Sequence, residues 1–160
     1  MHKTKNDLPE EMRKQVVEIL ASRLADCADL QLQAKQAHWN VKGPSFIALH
    51  ELFDKVADTA EEGVDLIAER IVQLGGIAEG TARVAAQRSS LVEYPLKISA
   101  GKDHVDALSN ALAAFGKLVR SAIDQTAELG DVDTSDLFTE VSRAIDKQLW
   151  FVEAHLHSNT

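Results

Sequence analysis

The 160-residue chain has one cysteine, three prolines, 5% aromatics and no long apolar run. A lone Cys27 cannot close an internal disulfide, so a reducing cytoplasm is the expected compartment and the thiol is read as a small packed side chain. No segment approaches the roughly 20 apolar residues of a membrane span, and the N-terminus lacks the apolar core of a signal peptide. A soluble protein with no membrane partner is expected. Dinucleotide-type glycine patterns, phosphate loops and internal repeats are missing too. Positive charge is short, with 17 Lys and Arg against 25 Asp and Glu and a net charge of −8. That balance argues against broad contact with nucleic acid or anionic lipid and suits a protein that attracts cations.

What remains is a chain rich in Ala and Leu, 45% hydrophobic and long enough to bury a core, a balance that suits a helical bundle. Residues 1–7, with His2, Lys3 and Lys5, read as a short solvated arm ahead of one domain spanning 8–157. Asp7 is a candidate cap for a first helix running to about Asn40, whose apolar face is Met12, Val16, Ile19, Leu20 and Leu24. Gly43-Pro44 breaks it, and Ser45 is a candidate cap for a second helix reaching about Leu74, where Gly75-Gly76 stop it. Residues 77–101 form a long connection in which Thr81 to Ser89 can make a short helix. A third helix is expected from about Asp103 to Leu129. A fourth follows the acidic turn Asp131-Val132-Asp133-Thr134-Ser135-Asp136, with Asp133 or Thr134 as its cap. Two short loops and one long crossover give an all-α, ferritin-like four-helix bundle, the crossover between the second and third helices carrying a short extra helix.

The second helix carries the chemistry. His50 and Asp54 are one turn apart, as are Asp65 and Glu69, so the members of each pair point the same way. The pairs are mirror-placed about a point between residues 59 and 60. Asp54 and Asp65 are about 16 Å apart along a straight helix, too far to share a metal within it. Two copies crossing antiparallel about a two-fold axis would set His50 against Glu69 of the other copy and Asp54 against Asp65. A site shared between subunits, present twice per dimer, follows. With His38 the set has two imidazoles and three carboxylates, a mixture suited to iron, manganese or zinc. Singly, each of these residues is more often a packed histidine or a solvated acid; their joint spacing is what singles them out. No histidine has a glutamate three residues before it, which argues against the ordinary di-iron bundle whose whole centre lies inside one subunit and favours the shared site.

Four segments, HWNVKGPSF, LHELFD, DLIAERI-VQLGG and DTSDLFTEVSRAIDKQLWFVEAHL, together resemble the DNA-protection-during-starvation (Dps) proteins, or mini-ferritins, over nearly the whole chain. The resemblance implies a hollow dodecamer of four-helix subunits, with ferroxidase centres at its two-fold interfaces. It implies that His38, His50 and Asp54 come from one subunit and Asp65 and Glu69 from its mate. The implied reaction is Fe(II) oxidation by hydrogen peroxide or dioxygen, followed by ferric mineral storage. Zinc or manganese are possible substitutes at the centre. Trp39 sits where the family has a tryptophan beside the centre, as packing or as an electron donor. Lys35 and Arg70 are placed to orient or neutralise carboxylates around the metal, or to make surface ion pairs. Asp131, Asp133 and Asp136 occupy the turn where the family often builds acidic three-fold pores. Tightly DNA-binding members often carry a longer lysine-rich tail; here there are only Lys3 and Lys5 at one end and His157-Ser158-Asn159-Thr160 at the other. Nucleoid association is therefore the competing reading, a metal staple without turnover the third. His104, His155 and His157 are assigned to the surface or to an accessory metal site.

Overall fold

The computed structural model describes residues 1–157; the terminal Ser158-Asn159-Thr160 of the weakly basic tail lies outside them. The helices are α1 (Glu10–Asn40), α2 (Phe46–Gln73), α3 (Ala82–Arg88), α4 (Gly101–Glu128) and α5 (Val132–Glu153), followed by a single 3₁₀ turn, Ala154–Leu156. The four long helices pack α1 on α2, α4 on α5, α1 on α4 and α2 on α5. The end of α1 meets the start of α4, where the Lys42 amide donates to Ser99 O (2.8 Å) and the Gly101 amide to Lys42 O (3.2 Å). Thus α4 runs parallel to α2, and the crossover must climb the full length of the bundle. This is the ferritin-like arrangement with its extra helix in the crossover.

Apolar positions recur at helical spacing and meet in one core around Phe53, Phe115 and Phe138, all fully buried. Each such ring contributes roughly 1.5–3 kcal/mol by leaving water. Cys27 belongs to that core and donates its thiol to Ala60 O at 3.3 Å; burial pushes its pKa far above that of a free thiol. The crossover is held by a polar clasp on α1. Asp26, fully buried, accepts from Arg23 Nε (2.8 Å), the Ser90 amide (2.7 Å) and Ser90 Oγ (2.8 Å). Ser89 donates to Asp29 at 2.6 Å.

Several local expectations need correction. Asp7 does not cap α1: Pro9 takes that position without a side-chain bond, because Asp7 lies too early to reach the first helical amides. The α5 cap is Asp131, whose Oδ1 accepts from the Thr134 amide at 3.0 Å, so neither Asp133 nor Thr134 has that role. His104 is not on the surface; it is 1% exposed. His155 and His157 are exposed. The N-terminal arm is docked as well, its His2 amide donating to Gly75 O at 2.6 Å. Gly75 (φ 86°) closes α2 in the left-handed region, and a side chain there would strike His2 O at 2.7 Å.

Candidate metal centre

The short α1–α2 connection turns the chain back so that the last turn of α1 faces the first turns of α2. There His38 and His50 hold each other. The His38 Nδ1–H donates to the backbone carbonyl of His50 (2.7 Å), and the His50 Nδ1–H donates to that of His38 (2.8 Å). A carbonyl can only accept, so each ring carries a proton on Nδ1, and in the neutral ring this leaves the Nε2 lone pair free. The rings stack 3.7 Å apart at 22°, with Phe46 packed 5.1 Å from His50. Imidazoles fixed through Nδ1 by carbonyls are oriented as metal-binding histidines usually are.

Asp54 lies beside them, its Oδ1 3.9 Å from His38 Nδ1. It is hydrogen-bonded by Lys35, which holds its carboxyl below the usual range and is itself raised by the pairing. Lys35 thus occupies the carboxylate that a cation would need. Replacing it with methionine should tighten Co(II) binding at pH 7 by on the order of tenfold, because one positive charge near a divalent ion is removed. The sign for pH follows from the same pair. Asp54 loses its stabilised charge, its pKa rises, and the acid limb of Co(II) binding moves to higher pH. Calorimetric titration across pH checks both; weaker binding at neutral pH would make Lys35 a support for the site.

Asp65 and Glu69 are exposed about three and four turns beyond Asp54 along α2. Within one subunit, no three His, Cys, Asp or Glu among the described residues form a metal-sized cluster. The mirror pattern extends beyond the five candidates. Helix α2 itself, Phe46–Gln73, is centred between residues 59 and 60. Asp58 and Glu61 are mirror-placed about the same point, and so are Ile47 and Val72, exposed at 61% and 58%. Four mirror pairs thus share one stripe, all within about 50° of a line along the helix. The outer apolar pair escaped the sequence reading, since which hydrophobics stay outside the core is a property of the fold. Its signal was the shared midpoint.

The remaining candidates divide. Trp39, next to His38 in sequence, is 65% exposed. Arg70 points away from the stripe. It is buried, bonding Asp131 Oδ1 (3.0 Å) and Thr134 Oγ1 (2.8 Å) across to α5. Asp131 is 2% exposed, and its carboxylate is spent on Arg70 and the α5 cap, so it cannot line a pore. Asp133 and Asp136 remain exposed.

The sequence profile of the ferritin-like domain matches residues 17–159. The DNA protection during starvation protein of Agrobacterium fabrum is 46% identical over 99% of this chain and 98% of its own length. The chain belongs to the Dps family. Among solved structures, the tetragonal form of Mycobacterium smegmatis Dps superposes with a TM-score of 0.92 at 30% identity, covering 98% of this chain and 95% of that one. The high iron form of Microbacterium arborescens Dps gives 0.86 at 33%, covering 93% and 97%. Dps membership places the chain among iron-storage and DNA-protection proteins. It also puts the doubly fixed histidine pair on a scaffold where iron is the expected cargo. No helix among the described residues is long and apolar enough to cross a membrane.

Proposed function

We propose that this chain is a ferroxidase and iron store whose di-iron sites form between two subunits. His38, His50 and Asp54 of one subunit bind Fe(II) with Asp65 and Glu69 of its mate. The observation that carries this reading is the four-pair mirror stripe on α2, whose His50 stacks on His38 of α1 with each Nδ1 held by the other's backbone carbonyl. Pairing two stripes antiparallel sets Asp54 opposite Asp65 and Asp58 opposite Glu61, acid against acid. Such an interface is repulsive in a metal-free dimer and becomes attractive once divalent cations sit between the carboxylates. Ile47 against Val72 closes each end with apolar contact.

Fe(II) is the substrate. Carboxylates favour the higher charge of Fe(III), while neutral imidazoles complete the shell and leave room for an oxidant. Two Fe(II) held together deliver two electrons to one hydrogen peroxide, which takes two protons and leaves as two waters without releasing hydroxyl radical. Dioxygen is the slower alternative oxidant, and zinc or manganese can occupy the same ligands. Six such dimers closed into a hollow dodecamer would store the ferric product, with Asp133 and Asp136 as candidate cation-entry residues. The compartment proposed is the bacterial cytoplasm.

Anaerobic Fe(II) loading followed by one peroxide pulse tests this directly. Wild type should oxidise iron fast with little trapped radical, while His50→Ala/Asp54→Ala should be slow and radical-rich. Equal traces from both proteins would reject the site.

The competing role, DNA packing, is disfavoured by the docking of the arm through His2 on Gly75. Two lysines release few counterions, so any gel-shift band should vanish between about 0.05 and 0.2 M salt. A band that persists at physiological ionic strength would restore the nucleoid reading.

A further inference from the structure

Tyr94, the single tyrosine of the chain, and His104 form a buried pair that the iron ligands do not use. The phenol oxygen lies 2.7 Å from His104 Nδ1, and the rings are 6.0 Å apart at 19°. Tyr94 is 6% exposed and His104 1%. His104 Nε2 has no hydrogen-bond partner, although the backbone of Asn40 and Ile98 faces the ring. A buried imidazole with one nitrogen unpaired is an expensive way to fill a core, and it asks for a role. The pair also sits close to the iron stripe. Asn40 directly follows Trp39, and Phe53, 6.4 Å from the His104 ring, directly precedes Asp54.

Its chemistry is specific. A phenol that loses one electron becomes a strong acid and must shed its proton. With water excluded, the base in contact is His104 Nδ1. The imidazolium so formed would turn its Nε2–H toward the Asn40 and Ile98 carbonyls, which suit a cation better than a neutral ring. The phenol is protonated at neutral pH; burial pushes its pKa further up and that of the imidazole down, so the pair rests in the state from which this transfer starts.

We propose that Tyr94 and His104 form a proton-coupled redox relay that absorbs single oxidising equivalents escaping the iron reaction and returns them to Fe(II). The proposal rests on the ferroxidase reading for its oxidant, the hydroxyl radical formed when one Fe(II) meets one peroxide. That radical takes one electron from the exposed Trp39 indole and becomes hydroxide. Tyr94 refills the indole with one electron, its O–H bond breaks, and the proton bonds to His104 Nδ1. Bound Fe(II) then gives one electron to the tyrosyl radical and becomes Fe(III), while the proton returns from Nδ1 to the phenol oxygen. The sum is Fe(II) plus hydroxyl radical giving Fe(III) plus hydroxide, with no side chain consumed.

The test runs on the assembled, metal-free protein with flash-generated ruthenium(III) tris-bipyridine as the oxidant, so it does not depend on ferroxidase activity. Electron paramagnetic resonance should show a tyrosyl radical in wild type and none in Tyr94→Phe. His104→Asn offers an acceptor oxygen near the Nδ1 position but no base, and should form the radical about a hundredfold more slowly. Formation in wild type should also slow in D₂O, a measurement that needs no variant. Anaerobic Fe(II) should then shorten the radical lifetime about a hundredfold. Absence of the wild-type radical, a rate unchanged in D₂O or in folded His104→Asn, or a lifetime indifferent to Fe(II) would each overturn the relay and leave a packing hydrogen bond. Failure of the ferroxidase reading shows separately, as peroxide consumption unaffected by His50→Ala/Asp54→Ala.

Discussion

Two inactive variants of this chain should make an active mixture. His50→Ala/Asp54→Ala removes the ligands of one half-site, and Asp65→Ala/Glu69→Ala removes those of the other. Alone, each variant should lose rapid peroxide-driven Fe(II) oxidation by about a hundredfold or more, since two of five ligands are gone. In a heterodimer, the intact His38, His50 and Asp54 of the second variant face the intact Asp65 and Glu69 of the first. One site of the two is therefore complete and the other doubly broken. Random co-assembly makes half the dimers mixed, so stopped-flow oxidation should recover to about a quarter of the wild-type amplitude. No recovery, in a mixture shown by mass spectrometry to contain mixed oligomers, would place the site within one subunit or on other residues. Recovery is hard to explain without sharing, because neither parent holds a complete set.

The proposed sharing could be put forward from the sequence because it is arithmetic on one helix. Positions 50, 54, 65 and 69 need only the helical repeat and a two-fold axis, and the unbroken α2 supplies the straight rod that the arithmetic assumes. The bundle was readable for a similar reason: apolar stripes such as Phe53, Val56, Ala60, Ile67 and Ile71 repeat at helical spacing, and all five are buried. What stayed hidden depends on which elements meet. Arg70 looks like a neighbour of Glu69 until α5 is laid against α2 and Asp131, 61 positions away, receives it. His104 looks like a surface residue of an acidic helix start until the crossover folds Tyr94 over it. The reciprocal Nδ1 bonds of His38 and His50 belong to the same class, since they require the turn of the chain between α1 and α2 to be known. Side-chain pattern along one element is sequence information; polar pairing between elements is not.

The Arg70–Asp131 pair therefore should register in stability rather than in iron chemistry. Both groups are buried, at 9% and 2% exposure, and the carboxylate also accepts Thr134 Oγ1 at 2.6 Å while capping α5. Arg70→Ala leaves that carboxylate buried without its cation and should cost about 3–5 kcal/mol. Asp131→Ala strands the guanidinium and removes the cap as well, so its loss should be at least as large. Asp131→Asn keeps a capping oxygen and should fall between Asp131→Ala and wild type. Guanidinium-induced unfolding at fixed protein concentration separates these cases, the concentration being held because assembly itself adds stability. Under conditions where it remains folded, Arg70→Ala should oxidise Fe(II) within about twofold of wild type, because its side chain faces α5 and not the α2 stripe. The opposite pattern, unchanged stability with lost oxidation, would return Arg70 to the metal centre and undo its assignment as the tie between α2 and α5. That outcome would also require Asp131 to be free of its partner, and only then could this carboxylate line a pore.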